Sequence, residues 1–210
     1  MADLGTTPPT QWSQWADQIR AAAQDGERIR IRGGGSKDFL GDVRQGDWVL
    51  ETTDWSGVES HEPTELVVRA RGGTPLAELE TLLASKGQYL AFEPPRFAWA
   101  SPQGATVGGV VAAGLSGPGR VSRGAVRDHV LGCTMMNGKG EVLRFGGAVM
   151  KNVAGFDLSR LMAGSMGTLG VLLDVTLKVM PQPVSSATLR IEMTEAEALL
   201  QVVGNPSLSL

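Results

Sequence analysis

Hydrophobic residues near the start of the chain recur at helical spacing. Trp12, Trp15 and Ile19 share one face of a helical wheel, with polar residues between them. Thr10 can serve as the N-cap of this helix, and Gly26 is a typical residue at a helix end. The pattern therefore predicts a first amphipathic helix between these two positions.

The spacing then changes from helical to alternating. Isoleucines alternate with arginines over Glu27–Arg32, which predicts a strand whose arginine face is solvated at Arg28 and Arg30. This strand runs directly into three consecutive glycines at 33–35. Alternation also predicts strands over 48–53, 65–70 and 89–92.

A second helix is predicted between the last two of these strands. Thr74 can act as its N-cap, Pro75 suits the first helical position, and Gly87 marks its end. The leucines at helical spacing are expected to face the core: Leu76, Leu79, Leu82 and Leu83.

Shorter elements are predicted in the second half of the chain. Thr106 can cap a short helix of small residues, TVGGVVAAG. Two apolar runs, Val130–Met136 and Glu141–Phe145, flank an Asn-Gly-Lys-Gly turn and predict a β-hairpin. A further short helix is predicted over Asp157–Ala163.

The clearest strand signal covers Leu169–Val179. Apolar and polar residues alternate there, so the pattern predicts one apolar face and one polar face formed by Asp174, Thr176 and Lys178. The Pro-Gln-Pro sequence at 181–183 ends the strand and indicates a domain boundary.

Beyond this boundary, the spacing of Thr194 and Glu197 fits a capping box and predicts a helix, with a strand before it over 187–193. One strand and one helix are too few to bury a core. We therefore expect 1–183 to be one domain and 184–210 to be the start of a C-terminal domain that this chain does not complete. An ordered tail packed on the first domain is the alternative.

Composition and charge exclude several classes of function. The 210 residues carry 19 Lys and Arg against 22 Asp and Glu, a net charge of −3, so no strong field indicates nucleic acid as a partner. The single cysteine, Cys133, excludes an intrachain disulfide or a cysteine-ligated cluster, and two distant histidines disfavour a metal site. No apolar run is long enough to span a bilayer, so direct membrane insertion is not expected.

Glycine is the unusual part of the composition, with 28 residues and no repeat period. This abundance indicates a backbone that approaches a bulky ligand closely, and the triplet after the first strand can form an anion-binding nest of N–H groups. The triplet does not fit the G-x-G-x-x-G motif, because Asp38 occupies the third glycine position. It does not fit the P-loop either, because Ser36 and Lys37 stand in the wrong order. A plain turn is the alternative.

Several segments, taken in order, carry a family resemblance. They are RGGGSK at 32–37, PQGATVGGVVAAG at 102–114, RGAVRDHVLG at 123–132, NGKGEVLRFGG at 137–147 and KNVAGFDLSRLMAGSMGTLGVLLDVTLKVMPQP at 151–183. The series resembles the FAD-binding domain of the vanillyl-alcohol oxidase and p-cresol methylhydroxylase superfamily, and the longest segment is most similar to its glycolate oxidase branch. The resemblance implies an α+β fold with two subdomains, one mixed and one largely antiparallel, and FAD in the cleft between them.

The resemblance also implies which residues contact the cofactor. The pyrophosphate of FAD would be held by the first glycine motif, where backbone donors, a hydroxyl and one cation stabilise two negative charges: Arg32, Gly33, Gly34, Gly35, Ser36 and Lys37. The flavin ring would be approached by the second motif, for which close helix–sheet packing is the alternative: Thr106, Gly108 and Gly109.

Relatives in this family imply further positions near the cofactor. Gly124 corresponds to a turn beside the flavin, and Gly170 and Val171 correspond to backbone that meets the adenine, although the alternation also suits Val171 as a core residue. Lys151 is expected to organise a turn near the cofactor. The family does not single out His129, for which a structural role is expected.

The resemblance further implies how FAD is held and used. Some members attach FAD through a histidine next to the glycine loop, but Ser36 follows the triplet here, so non-covalent FAD is expected. The flavin would accept hydride from the α-carbon of glycolate or a similar 2-hydroxy acid. The sequence identifies no catalytic residue.

Partner subunits are implied as well, because one cysteine cannot hold an iron–sulfur cluster. The resemblance implies a sister FAD subunit and an iron–sulfur subunit in a glycolate-oxidase-like complex, in the cytoplasm and at the membrane only through those partners. A non-catalytic FAD-binding or docking subunit, whose sister subunit performs the oxidation, is the alternative. A UDP-sugar enolpyruvate reductase is a third possibility, which the stretch KNVAGFDLSRL disfavours.

Overall fold

The computed structural model describes residues 9–41, 48–147, 156–187, 190 and 192–204. The helices are α1 (Thr10–Asp25), α2 (Leu76–Ala84), α3 (Val107–Ala113), α4 (Arg120–Arg123), α5 (Val126–His129), α6 (Leu158–Leu161) and α7 (Glu195–Gly204). The strands are β1 (Ile29–Arg32), β2 (Trp48–Glu51), β3 (Val58–Glu62), β4 (Val67–Arg71), β5 (Gln88–Tyr89), β6 (Val130–Met136), β7 (Val142–Gly146), β8 (Val171–Lys178) and β9 (Met180–Pro181). This mixture of helices and strands agrees with the predicted α+β class.

The described strands form one five-stranded sheet and two pairs. The large sheet has the order β3-β4-β8-β6-β7, and every neighbouring pair in it is antiparallel. Strands β1 and β2 are parallel, with Ile31 opposite Leu50, and β5 pairs with β9 in the antiparallel sense. Helix α1 lies between the large sheet and the β1–β2 pair, because its apolar face packs against side chains from both.

Two of the predicted N-caps are wrong. Thr10 is the first residue of α1, and Pro9 occupies the cap position without a side-chain bond. Helix α2 begins at Leu76 with Pro75 before it, and the buried Thr74 hydroxyl instead bonds to the N–H and C=O of Gly57, at 2.9 and 3.0 Å. That hydroxyl therefore ties the start of β3 to the end of β4.

Other local predictions are confirmed. The Thr106 side chain accepts a hydrogen bond from the Gly109 amide at the start of α3, and β6 and β7 form the predicted hairpin. Thr194 and Glu197 form the predicted capping box. The predicted strand over 89–92 is shorter, ending at Tyr89, and β3 was not predicted. Of 187–193, the described residues lie in no strand.

Strand β8 differs from its predicted alternation, because it is buried on both faces and its register shifts. Thr134 lies opposite Asp174, but the next residue, Met135, lies opposite Leu172, so β8 has one extra residue there. Such a bulge reverses which face the following side chains occupy. Val171 and Leu173 accordingly pack with α1 in a smaller cluster, whereas later apolar residues of β8 join the larger cluster with α2 and α3.

The predicted polar face of β8 is covered by an ion pair within the sheet. Arg69 of β4 donates from Nε and Nη2 to the two carboxylate oxygens of Asp174, at 3.0 and 2.9 Å, and also lies 3.0 Å from Glu59. Asp174 is only 2% exposed, so its buried negative charge must be stabilised, and the two N–H groups of Arg69 do this. The ion pair fixes β4 against β8 on the side opposite the larger cluster.

In the part of the chain that the structure describes, no helix combines the length and the apolar character needed to cross a bilayer.

Candidate cofactor-binding site

A cleft of about 390 Å³ opens between β1 and helix α3. This volume lies in the usual range of cofactor sites. Its walls come from elements far apart in sequence, because β1 and the glycine loop lie on one side and α3 with the start of β8 on the other. Ten of the predicted site residues line it: Arg32, Gly33, Gly34, Gly35, Ser36, Lys37, Thr106, Gly108, Gly109 and Gly170.

The loop after β1 presents backbone donors to this cleft. No described residue accepts a hydrogen bond from the amides of Gly34, Gly35, Ser36 or Lys37. Gly35 has a left-handed φ of 74°, and its carbonyl accepts from the Asp38 amide at 3.1 Å to close a turn. Successive N–H groups around a left-handed residue form an anion-binding concavity. The loop therefore fits a phosphate group or a diphosphate.

The glycines of this loop also fit tightly against the protein. A Cβ on Gly33 would overlap the Thr106 hydroxyl, and a Cβ on Gly34 would overlap the carbonyl oxygen of Gly104. The absence of side chains therefore lets the loop lie flat on the segment that leads into α3. The two cofactor motifs of the sequence are in direct contact with each other.

Ser36 and Lys37 add polar side chains at the end of the loop. Ser36 is 4% exposed, and its hydroxyl accepts from the Lys37 ammonium at 3.4 Å. Burial lowers the pKa of the Lys37 ammonium, and the described residues offer it no carboxylate partner. An anion bound in the loop would supply the missing negative charge.

The arginines of β1 pair with carboxylates. Arg32 donates to Asp38 at 2.9 Å and to Glu51 at 3.2 Å, and Arg30 lies 2.7 Å from the second oxygen of Asp38. Arg30 is therefore not a solvated residue, and the charge of Arg32 is already neutralised by carboxylates. Among the described residues of the loop at 33–38, Lys37 is the cation without a carboxylate partner, and a cofactor contact by Arg32 stays a prediction.

Asp38 is held as a carboxylate by these arginines. Burial alone would raise its pKa, but the hydrogen bonds from Arg32 and Arg30 together outweigh burial, so the pKa of Asp38 lies below its usual value. In the sequence, Asp38 stands out only because it occupies the third glycine position of the G-x-G-x-x-G motif. The available signal is the arginine alternation, which places two guanidinium groups on the same face of β1 and so favours a carboxylate partner.

Neighbouring glycines of α3 have different surroundings. A Cβ on Gly108 would lie 2.9 Å from the carbonyl oxygen of Gly72, so this glycine allows α3 to pack on the end of β4. Gly109 is partly exposed in the cleft, and a Cβ there would contact only the Thr106 hydroxyl, at 3.1 Å. Close helix–sheet packing, one of the two explanations offered by the sequence, therefore applies to Gly108, whereas the approach of the flavin to Gly109 stays a prediction.

The predicted site residues outside these two motifs differ in whether they line the cleft. Gly170 lines the cleft, with φ of 143°, whereas the side chain of Val171 is 1% exposed in the smaller core cluster. Gly124 does not line the cleft, and a Cβ there would lie 3.2 Å from Asp128. Cofactor contacts by Gly124 and by the backbone of Val171 stay predictions.

Two other predictions concern residues beside the cleft motifs. His129 is buried at 4% exposure, and its Nε2 lies 2.9 Å from the carbonyl oxygen of Arg123, whereas its Nδ1 has no hydrogen-bond partner among the described residues. Its structural role stays a prediction. Lys151 and its turn lie outside the described residues.

The single cysteine, Cys133, is buried in the larger cluster, where burial and the charge of Asp174 raise its pKa to about 12.

Two polar residues at the cleft were not among the predicted site residues: one bonds to the glycine loop, and the other lines the cleft. Ser101 is 5% exposed, and its hydroxyl donates to the carbonyl of Gly34. Thr52 lines the cleft and bonds to the carbonyl of Arg32 at 3.2 Å. Neither residue belongs to a glycine motif, so no local pattern marks it.

One family model and several known proteins are similar to this chain. The family model described as FAD binding domain matches residues 6–146. Glycolate oxidase subunit GlcE of Escherichia coli (strain K12) is 47% identical over 186 residues, which cover 89% of this chain and 52% of that protein. D-lactate dehydrogenase of Anaerostipes hadrus is 31% identical over 158 residues, which cover 75% of this chain and 32% of that protein.

A third relative is glycolate oxidase subunit GlcD of Bacillus subtilis (strain 168), which is 28% identical over 161 residues, covering 77% of this chain and 33% of that protein. The chain thus spans about half the length of the first relative and about a third of the other two. The family match covers most of the chain, including both glycine motifs. The chain therefore belongs to the FAD-binding family of the p-cresol methylhydroxylase type, and FAD is its cofactor.

Proposed function

We propose that this chain is the FAD-binding part of an oxidoreductase subunit that acts on a small 2-hydroxy acid of the glycolate type. The observation that carries the proposal is the loop at 34–37, whose amides have no acceptor among the described residues and line the cleft next to a half-buried lysine. The relatives' names, glycolate oxidase subunit and D-lactate dehydrogenase, support the substrate class.

The diphosphate of FAD would bind to these amides, with Ser36 and Lys37 as the polar side chains nearest to it. Gly109 would leave room for the larger part of the cofactor in the cleft. The β1–β2 pair with α1 and the five-stranded sheet would then represent the two subdomains that the family resemblance implies. The domain boundary at 183 stays a prediction, supported by the exposed Leu199 and Leu200 on α7, which are 60% and 74% exposed.

When bound, FAD supplies the two-electron acceptor for oxidation of the hydroxyl-bearing carbon of the substrate. The residues of this chain would bind and orient the cofactor. Among the described residues that line the cleft there is no histidine and no cysteine, which supports a non-covalent attachment. No described residue is assigned as the catalytic base.

We further infer that the chain works within a complex that contains a sister FAD subunit and an iron–sulfur subunit, in the cytoplasm. The support is that two relatives are named as subunits of glycolate oxidase. The exposed apolar side chains of α7 are a candidate contact for further polypeptide.

The proposal is tested in two steps on the purified protein. Titration with FAD, followed by calorimetry and by flavin absorbance, should show binding, and failure to bind FAD would overturn the assignment of the loop. Anaerobic addition of glycolate or D-lactate should then bleach the bound flavin. Bound flavin that neither acid bleaches would favour the alternative, a non-catalytic FAD-binding subunit whose sister performs the oxidation.

A further inference from the structure

One buried hydroxyl joins the glycine loop to the segment that leads into α3. Ser101 is 5% exposed, and its hydroxyl lies within hydrogen-bond distance of two acceptors, the carbonyl oxygen of Gly34, 67 residues away in sequence, and Oε1 of the exposed Gln103 side chain at 3.0 Å. The Gly34 carbonyl is the nearer of the two, and we assign it the single hydroxyl proton. The same oxygen of Ser101 also accepts from the Gln103 amide at 3.2 Å. In the described part of the chain, no other group donates to the Gly34 carbonyl.

This bond determines which way the next amide points. The described residues contain no cis peptide bond, so the peptide between Gly34 and Gly35 is planar and trans, with its C=O and N–H pointing in opposite directions. Because the carbonyl points towards Ser101, which does not line the cleft, the Gly35 N–H points to the opposite side of the loop. Gly35 lines the cleft and its amide has no acceptor among the described residues, so we place its N–H on that side.

We propose that Ser101 is a positioning residue for the diphosphate site, and that it acts by fixing the orientation of the peptide between Gly34 and Gly35. This inference rests on the proposed function of the loop. A peptide between two glycines reorients at little steric cost, because neither residue has a Cβ to restrict its backbone angles. Without the Ser101 hydroxyl, the Gly34 carbonyl can turn towards the cleft, where its partial negative charge would oppose a bound diphosphate.

The test compares two serines that each donate to a backbone carbonyl. Ser101→Ala removes the proposed positioning bond. Ser85→Ala removes a similar bond to the carbonyl of Leu82, of 2.6 Å, at the end of α2 and away from the cleft. Ser101→Cys keeps nearly the volume of serine but has a weaker donor, so it serves if the alanine variant does not fold.

The whole protein is titrated with FAD, and the phosphorus resonances of bound FAD are recorded by NMR. We expect Ser101→Ala to bind FAD about tenfold more weakly and to shift those resonances, with Ser101→Cys in between and Ser85→Ala unchanged. A purely structural role of Ser101 would lower thermal stability without shifting the phosphorus resonances.

The two possible failures are distinguishable. If the wild-type protein does not bind FAD, the proposed function is overturned, whatever the variants do. If the wild-type protein binds FAD and Ser101→Ala or Ser101→Cys binds it equally well with unshifted resonances, the role of Ser101 is overturned and the proposed function stands.

Discussion

In the loop after β1, Gly33 and Gly34 face the polypeptide itself, whereas Gly109 of α3 faces the cleft. In the sequence, both glycine motifs indicate room for a ligand. In the structure, a Cβ on Gly34 would overlap the carbonyl of Gly104, but a Cβ on Gly109 would meet only a threonine hydroxyl. The same residue type therefore serves internal packing at one position and ligand space at the other.

This difference separates two ways in which a substitution can abolish FAD binding. A side chain at a packed glycine displaces the loop and so weakens the fold and the site together. A side chain at a cleft-facing glycine leaves the fold in place and fills the space of the ligand. Measuring stability without FAD and affinity for FAD on the same variants distinguishes the two cases.

The largest effect is expected for Gly34→Val. Its Cβ would overlap backbone that cannot rotate away, so we expect the free energy of unfolding of the FAD-free protein to fall by about 1–3 kcal/mol and FAD binding to be lost. Chemical denaturation and FAD titration measure the two effects. Gly138→Val is the control, because a Cβ there would have no neighbour within 4 Å. Unchanged stability in Gly34→Val would contradict the packing explanation.

The elements beside the cleft could be predicted because their signals are local. The cap of α3 depends on Thr106 and an amide three residues later, and β1 depends on the alternation that ends at the glycine triplet. The hairpin of β6 and β7 has a turn sequence between two apolar runs. Each of these patterns lies within a few consecutive residues, where propensity and spacing are informative.

Features that depend on distant contacts could not be predicted. The bulge of β8 arises from pairing with β6, so alternation along β8 alone predicts one continuous apolar face. Ser101 looks like an ordinary polar residue until the fold brings the Gly34 carbonyl to it from 67 residues away in sequence. Much of the site's geometry therefore comes from side chains that no motif marks.

Gly109→Leu is expected to affect binding without affecting the fold. The side chain would extend into the cleft, so FAD affinity should fall by about 10- to 100-fold, as measured by calorimetry. Gly109→Ala separates an effect on the fold from an effect on FAD binding, because alanine favours the helix and its Cβ would contact only the Thr106 hydroxyl.

Gly108→Ala is the matched comparison one residue away. A Cβ there would lie 2.9 Å from the carbonyl of Gly72, so we expect this variant to lower stability more than Gly109→Ala does. Equal stability of the two alanine variants would show that α3 does not pack as closely on β4 as the structure indicates.

Lys37 faces the ligand side of the loop and should give a pH-dependent effect. Burial lowers the pKa of its ammonium, so its charge is lost at a lower pH than the ordinary lysine value of about 10.4. A bound anion favours the charged form, so FAD affinity should decrease as pH rises through this lowered pKa. Lys37→Gln should bind FAD about tenfold more weakly at neutral pH and show no such decrease.

Lys37→Arg is the control for this lysine, because it stays charged throughout the range and should bind FAD at high pH. A pH dependence that persists in Lys37→Gln would assign the titration to another group.

The smallest effect is expected for Asp38→Asn, because Asp38 lines the cleft but its carboxylate is bound to Arg32 and Arg30. Its folded pKa is lowered by Arg32 and Arg30 despite burial, so its contribution to stability is present above the unfolded value of about 3.9 and is lost as pH falls through the folded pKa. The carboxylate is 38% exposed, so solvent screening limits this contribution to about 1 kcal/mol or less. Denaturation between pH 2 and 7 should show that the variant loses less stability on acidification than the wild type, while FAD affinity at neutral pH changes by less than about threefold. A large loss of FAD affinity would instead show that the Asp38 carboxylate, together with its arginines, takes part in binding the cofactor.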